Sequence, residues 1–99
     1  MTDEQAPVFD ALHVPPEAFD KGGVEVLRAV IIDGALHVSL RRAFDDPEAF
    51  GMMIADITRH VGRIYKDQFP EEQTIERIRA IYDSEMDAPT DPGTTSALS

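Results

Sequence analysis

The segment VEVLRAVIIDGALHVSLRR (24–42) limits the possible folds more than any other part of the chain. Two runs rich in β-branched residues alternate on either side of Asp33-Gly34. A two-residue Asp-Gly loop favours positive φ at both positions, which the type I′ turn of a β-hairpin provides. Such a turn fixes the register. The predicted cross-strand pairs are Ile32 with Ala35, Ile31 with Leu36, Ala29 with Val38, and Leu27 with Leu40.

This register divides the side chains of the hairpin between two faces. One face, here called the leucine face, is wholly apolar and is expected to be the core face: Leu27, Ala29, Ile31, Leu36, Val38 and Leu40. The other, the valine face, is half apolar: Val24, Val26, Val30 and Ile32 with Arg28, His37, Ser39 and Arg41. A freely solvated sheet face is usually more polar. We therefore predict that a neighbour covers part of the valine face, with Val24, Val26, Val30 and Ile32 as candidate interface residues.

Two helices are expected after the hairpin. The first begins at Asp46-Pro47, with Asp46 as N-cap, and extends for about 20 residues. Its apolar stripe recurs at alternating spacings of four and three: Phe50, Ile54, Ile57, Val61 and Ile64. Pro70 ends this helix and opens a second, which carries Glu71 and Glu72 in its first turn. The connection is so short that the two helices should pack antiparallel.

The predicted fold class is therefore α+β, a β-hairpin followed by two antiparallel α-helices. Ala11 to Val14 is a candidate third, N-terminal strand, and VPPEAF (14–19) a turn or short helix. Residues 1–7 and the acidic, polar tail 87–99 are expected to be disordered, which leaves 8–86 as a single domain. A domain of this size hides only about 60% of its unfolded surface and often needs oligomerisation.

Composition excludes several classes of function. The formal net charge is −10, and no window supplies the basic stripe that nucleic acids require. The same charge repels anionic lipid surfaces. No apolar run approaches the roughly 20 residues of a membrane span, and no leader sequence opens the chain. We expect a cytoplasmic protein that binds neither nucleic acid nor membranes.

The sequence offers little catalytic chemistry. It has no cysteine, and no HExxH or related zinc motif. Ala-Leu-His-Val occurs twice, around His13 and His37, but four shared letters do not make a structural repeat. Asp56 and His60 are spaced i,i+4, typical of a surface helix pair. We predict no catalytic residue, no metal site and no cofactor, and we consider an enzymatic role less favoured than a binding role.

A small basic cluster gives the main alternative. Arg28, His37 and Arg41 share the valine face and are candidate ligand-binding residues for an anionic metabolite, because guanidinium groups bind phosphate or carboxylate bidentately. The same arginines can equally pair with the chain's 19 acidic residues.

The run KGGVEVLRAVIIDGALHVSLRRAFDDPEAFGMMIADITRHVGRIY (21–65) resembles a small family of bacterial proteins, mainly from proteobacteria, which carries a domain-of-unknown-function label. The resemblance rests on a few short motifs: Gly22-Gly23, Asp33-Gly34, Leu36-His37-Val38 and Asp45-Asp46-Pro47. It implies a bacterial, cytoplasmic setting and transfers no catalytic residue, since the family has no assigned activity.

Two hypotheses of function follow. The first is a non-enzymatic module that forms a homodimer, or binds a partner protein, because a two-stranded sheet is not stable alone. The second is an accessory domain that binds a small anionic metabolite through Arg28, His37 and Arg41.

Overall fold

The computed structural model describes residues 7–90 and 94–98 of the chain. These residues form an α+β fold with a three-stranded sheet of order β1-β2-β3. The elements in chain order are α1 (Glu17–Lys21), β1 (Leu27–Ile32), β2 (Ala35–Arg41), α2 (Glu48–Ile64), α3 (Glu71–Asp87) and β3 (Thr94–Leu98).

The β1–β2 hairpin has the predicted turn and register. Asp33 and Gly34 have φ angles of 51° and 80°, as a type I′ turn requires. All four predicted cross-strand pairs are confirmed, from Ile32 with Ala35 to Leu27 with Leu40. The ladder continues beyond β1, because the backbone N–H of Arg41 donates to the carbonyl of Val26 at 2.9 Å. The division into a leucine face and a valine face therefore holds.

The third strand of the sheet comes from the C-terminal end of the chain. β3 pairs in parallel with β2, from His37 opposite Thr94 to Arg41 opposite Leu98. The sequence predicts disorder over residues 87–99. The structure differs at Asp87, which is the last residue of α3, and at residues 94–98, which form β3. Residues 91–93 and 99 lie outside the described residues. Strands pair through backbone N–H and C=O groups, which every residue other than proline offers. A polar segment such as β3 can therefore pair with the edge of β2 although its sequence shows no alternation of apolar residues.

The N-terminal segment does not form the candidate third strand. Residues 7–15 have no regular structure, and Pro15 and Pro16 lead directly into α1. Proline has no N–H to donate to a ladder and its ring fixes φ, so this sequence ends any extended pairing at Val14. VPPEAF does contribute the short helix that was expected. Residues 1–6 of the predicted disordered N-terminus lie outside the described residues.

The two long helices begin where the sequence signals place them. The backbone N–H of Glu48 donates to Asp46 Oδ1 at 3.0 Å, so Asp46 caps α2 as predicted. The helix has 17 residues rather than about 20. α3 begins directly after Pro70. α2 and α3 pack against each other, and Ile75, only 3% exposed, lies in their contact.

The helical hairpin does not cover the sheet. Among the described residues, no Cα of α2 or α3 lies within 8 Å of a Cα in any strand. The Cα radius of gyration is 16.5 Å, whereas a compact domain of about 100 residues has about 13 Å. The leucine face, expected to be the core face, is therefore not buried within this chain. The expectation of a core face is therefore not met within the chain, because its own helices do not reach the leucine face.

Candidate interaction surface

The leucine face is an open apolar surface. Ile31 is 67% exposed and its cross-strand partner Leu36 is 41% exposed. Leu27, Val38 and Leu40 are only half-buried. The six side chains of this face include no polar group, so water in contact with it gains no hydrogen bond. An open apolar face of this kind, three cross-strand pairs long, is a candidate interaction surface.

The helical hairpin carries a second open apolar surface. Ile57, Val61, Ile64 and Tyr65 share one face of α2, since residues three and four apart are neighbours on a helix. Val61 and Tyr65 line a groove of about 640 Å³ together with Ile78 and Ile81 of α3. Ile64 and Ile81 are 72% and 66% exposed. We call these six side chains the hairpin face: Ile57, Val61, Ile64, Tyr65, Ile78 and Ile81.

The exposed area of the whole chain, which includes the irregular N-terminal segment as well as these two surfaces, is large for its mass. It is 8643 Å², whereas a compact globular chain of 11.0 kDa exposes about 5,600 Å². The excess of about 3,000 Å² is surface that a compact chain of this size would bury. The packed interior is correspondingly small, because among the described hydrophobic side chains Ile75 alone is buried.

The valine face is partly covered by the N-terminal segment. The ring centroid of Phe9 lies 5.8 Å from the guanidinium carbon of Arg28, within the range of a cation–π contact. Val26 and Val30 are half-buried, while Val24 and Ile32, at the two ends of the face, remain exposed. Val30 and Ile32 lie on this face within β1, and the Arg41–Val26 hydrogen bond extends the ladder to Val26, whereas Val24 precedes the ladder.

The arginines of the candidate ligand site converge on Glu25. Arg28 Nη2 lies 2.9 Å from Glu25 Oε2, and Arg41 Nε donates to the backbone carbonyl of Glu25 at 3.2 Å. His37 is half-buried opposite Val30. Both cations therefore already contact one residue of their own chain. Sequence reasoning did not identify Glu25, because its contact with Arg41 spans 16 positions and leaves no local signal.

The remaining polar candidates do not assemble into a site. His60 Nδ1 lies 3.3 Å from Arg63 Nη1, so His60 contacts Arg63 rather than forming the expected pair with Asp56. The N-terminal segment places His13 along the open groove beside β1, and His37 is not part of that groove. Over 7–90 and 94–98, no group of three or more His, Asp or Glu side chains is arranged to hold a metal ion.

None of the described helices is both long enough and apolar enough to cross a bilayer.

Comparisons with known proteins identify relatives of this chain. No curated protein matches it. A solved structure described as a proposed pyruvate dehydrogenase, from the photosynthetic bacterium Rhodopseudomonas palustrus CGA009, is 36% identical, with a TM-score of 0.70. The similarity covers 96% of this chain and 99% of the other. A family model, domain of unknown function DUF5076, matches residues 11–90, a wider span than the 21–65 of the sequence resemblance. The chain belongs to the DUF5076 family.

Proposed function

We propose that this protein is a non-enzymatic, homo-oligomeric interaction module whose core is completed by a second copy of the chain. The observation that carries the proposal is the separation of the sheet from the helical hairpin. Each of these units has one apolar face, and neither face is covered by the other unit of the same chain.

The energetics favour assembly. Burial of apolar surface contributes about 25 cal/mol per Å², so leaving large apolar faces in water is costly for a small domain. The surface excess of about 3,000 Å² per chain exceeds the roughly 800 Å² that each partner buries in a standard interface. An oligomer is thus the simplest state in which this chain acquires a core of ordinary size.

Light scattering coupled to size-exclusion chromatography tests this proposal. We expect a molar mass of at least twice the 11.0 kDa of one chain at micromolar concentrations. A mass of one chain from micromolar to millimolar concentration would contradict it.

The basic cluster supports a second, weaker candidate function. Arg28, His37 and Arg41 share the valine face, but an anionic metabolite would have to displace the Glu25 carboxylate from Arg28. Thermal-shift screening with phosphates, nucleotides and organic acids tests this candidate, since a ligand at 100 times its Kd adds about 2.7 kcal/mol of stability. If the protein is only an assembly module, none of these compounds raises its melting temperature. The same result is expected for Glu25→Gln, in which the carboxylate that competes with a ligand for Arg28 is removed.

The solved relative described as a proposed pyruvate dehydrogenase raises an enzymatic alternative. An enzyme needs polar groups that converge in a concave site. In this chain the two open faces are mainly apolar, and Arg28 and Arg41 both contact Glu25. These features support interaction rather than catalysis. Assay of the purified protein for pyruvate-dependent reduction of NAD distinguishes the two, and we expect no activity above the rate without protein.

A further inference from the structure

We infer that, in the assembled protein, the hairpin face of one copy packs on the leucine face of a second copy, and that the exchange is reciprocal. This arrangement rests on the proposed self-assembly and specifies which surfaces meet. In a two-fold dimer each chain gives one helical hairpin and receives one, so both open faces of both chains are covered.

The two faces have matching chemistry. The leucine face holds six apolar side chains, and the hairpin face holds five aliphatic side chains and Tyr65. Helices packed on one face of a sheet form the usual two-layer architecture of an α+β domain. This chain supplies both layers but does not join them, so a second copy is the partner that is certain to carry the complementary surface.

The dimensions of the two faces agree. A helix of 17 residues is about 25 Å long, and β2, with seven residues, extends for about 23 Å. Neighbouring helices lie about 8–10 Å apart, whereas the two strands that carry the leucine face lie about 4.8 Å apart. One helical hairpin is therefore wide enough to cover the leucine face.

The charges of the two units are opposite in sign. Residues 24–42 carry two acidic and three basic side chains, a net charge of +1. Residues 43–87 carry eleven acidic and five basic side chains, a net charge of −6. Contact between two sheets or between two helical hairpins would bring like charges together. Contact between a hairpin and a sheet brings unlike charges together and is therefore favoured.

The area available is sufficient for two such contacts per chain. Obligate dimers bury about 2,000–5,000 Å² in total, or about 1,000–2,500 Å² per partner. The excess of about 3,000 Å² per chain includes the irregular segment 7–15 as well as the two faces, and it is large enough to contain an interface within that range.

Engineered cysteines test the arrangement directly, because the natural chain has none. One copy carries Ile31→Cys on the leucine face, and a second, differently tagged copy carries Ile81→Cys on the hairpin face. After co-expression and purification through both tags, a short bis-maleimide should link the two chains. Leu36→Cys, on the same face as Ile31, provides a second variant if Ile31→Cys fails to assemble.

Two matched controls define specificity. Ser39→Cys lies on the valine face of β2 and is exposed, and Asp83→Cys lies on α3 two residues after Ile81, on the opposite side of that helix. The control pairs are Ser39→Cys with Ile81→Cys, and Ile31→Cys with Asp83→Cys. We expect the yield of linked chains for Ile31→Cys with Ile81→Cys to be at least fivefold higher than for either control pair.

The outcomes separate the arrangement from the assembly itself. Equal yields in all combinations, or efficient linkage only when both tagged copies carry Ile31→Cys, in a protein that light scattering shows to be dimeric, would overturn the arrangement and leave the proposed function standing. A monomer by light scattering would overturn both.

Discussion

Ile31 and Leu36 face each other across the β-hairpin, and they remain 67% and 41% exposed to solvent. They are the cross-strand pair nearest the turn on the leucine face, where the sequence pattern demands burial. The exposure of this pair, together with the separation of the sheet from the helices, supports the proposal that a second chain covers this surface.

Replacement of Ile31 by Asp tests whether the leucine face is buried in solution. If Ile31 stays exposed, the substitution changes stability by less than about 0.5 kcal/mol. If a partner covers it, the substitution buries an unpaired charge and costs about 3 kcal/mol or more. We expect the larger loss, measured by urea denaturation, and a shift of the molar mass toward one chain.

Ser39→Asp is the matched control for this experiment. It introduces the same charge at an exposed position of β2 on the valine face. We expect its effect on stability to be at least fourfold smaller. Equal effects of the two substitutions would show that the leucine face has no special role.

The local parts of the fold could be predicted from the sequence. Asp33-Gly34 fixed the turn and thus every cross-strand pair of the hairpin, and Asp46 and Pro70 marked the starts of the two helices. These features depend on residues close together in the chain, for which propensity and capping are strong signals.

The non-local features could not be predicted. β3 is a polar segment that pairs through backbone groups with the edge of β2, and such pairing leaves no side-chain pattern. Glu25 contacts Arg41 through its carbonyl oxygen, which every residue type possesses. The alternation of apolar residues showed that the leucine face needs cover, but it contains no information on whether the same chain or another provides it.

Gly62 and Gly51 give a matched pair of substitutions on α2. A Cβ at Gly62 would lie 3.1 Å from Glu71 Cγ and 3.4 Å from Ile75 Cγ1, whereas a Cβ at Gly51 meets nothing within 4 Å. Alanine in place of glycine inside a helix is worth about 1 kcal/mol. We expect Gly51→Ala to gain about this amount and Gly62→Ala to be less stable than Gly51→Ala by at least about 1 kcal/mol, because α3 must move away. Similar urea midpoints for the two variants would contradict the close approach of the helices at Gly62.

Thr74 and Thr58 provide a test of buried polarity in the helical hairpin. The hydroxyl of Thr74 is buried without a hydrogen-bond partner among the described residues, whereas Thr58 Oγ1 donates to the carbonyl of Ile54 at 2.9 Å. Valine keeps the shape of threonine and removes the hydroxyl. We expect Thr74→Val to raise the free energy of unfolding by about 1 kcal/mol. Thr58→Val should leave it unchanged or lower it; a loss of stability in Thr74→Val would show that its hydroxyl is paired.

A chain that ends at Thr90 tests the contribution of β3. It retains α3 and the hydrogen bond from the backbone N–H of Thr90 to Glu85 Oε1 at 3.0 Å, but it leaves the outer edge of β2 unpaired. Exposed strand edges promote aggregation. We expect a melting temperature lower by several degrees and increased light scattering on heating. An unchanged melting curve would mean that β3 does not contribute to the sheet.

The dependence of unfolding on protein concentration tests the central claim most directly. If two copies form one core, unfolding is coupled to dissociation, and a hundredfold increase in concentration stabilises the dimer by about 2.7 kcal/mol. The free energy of unfolding falls by about 1–3 kcal/mol per molar urea. The urea midpoint should therefore rise by roughly 1 M or more when the protein concentration is raised from about 1 µM to about 100 µM. A midpoint that is the same at both concentrations would show that each chain folds alone and would contradict the account.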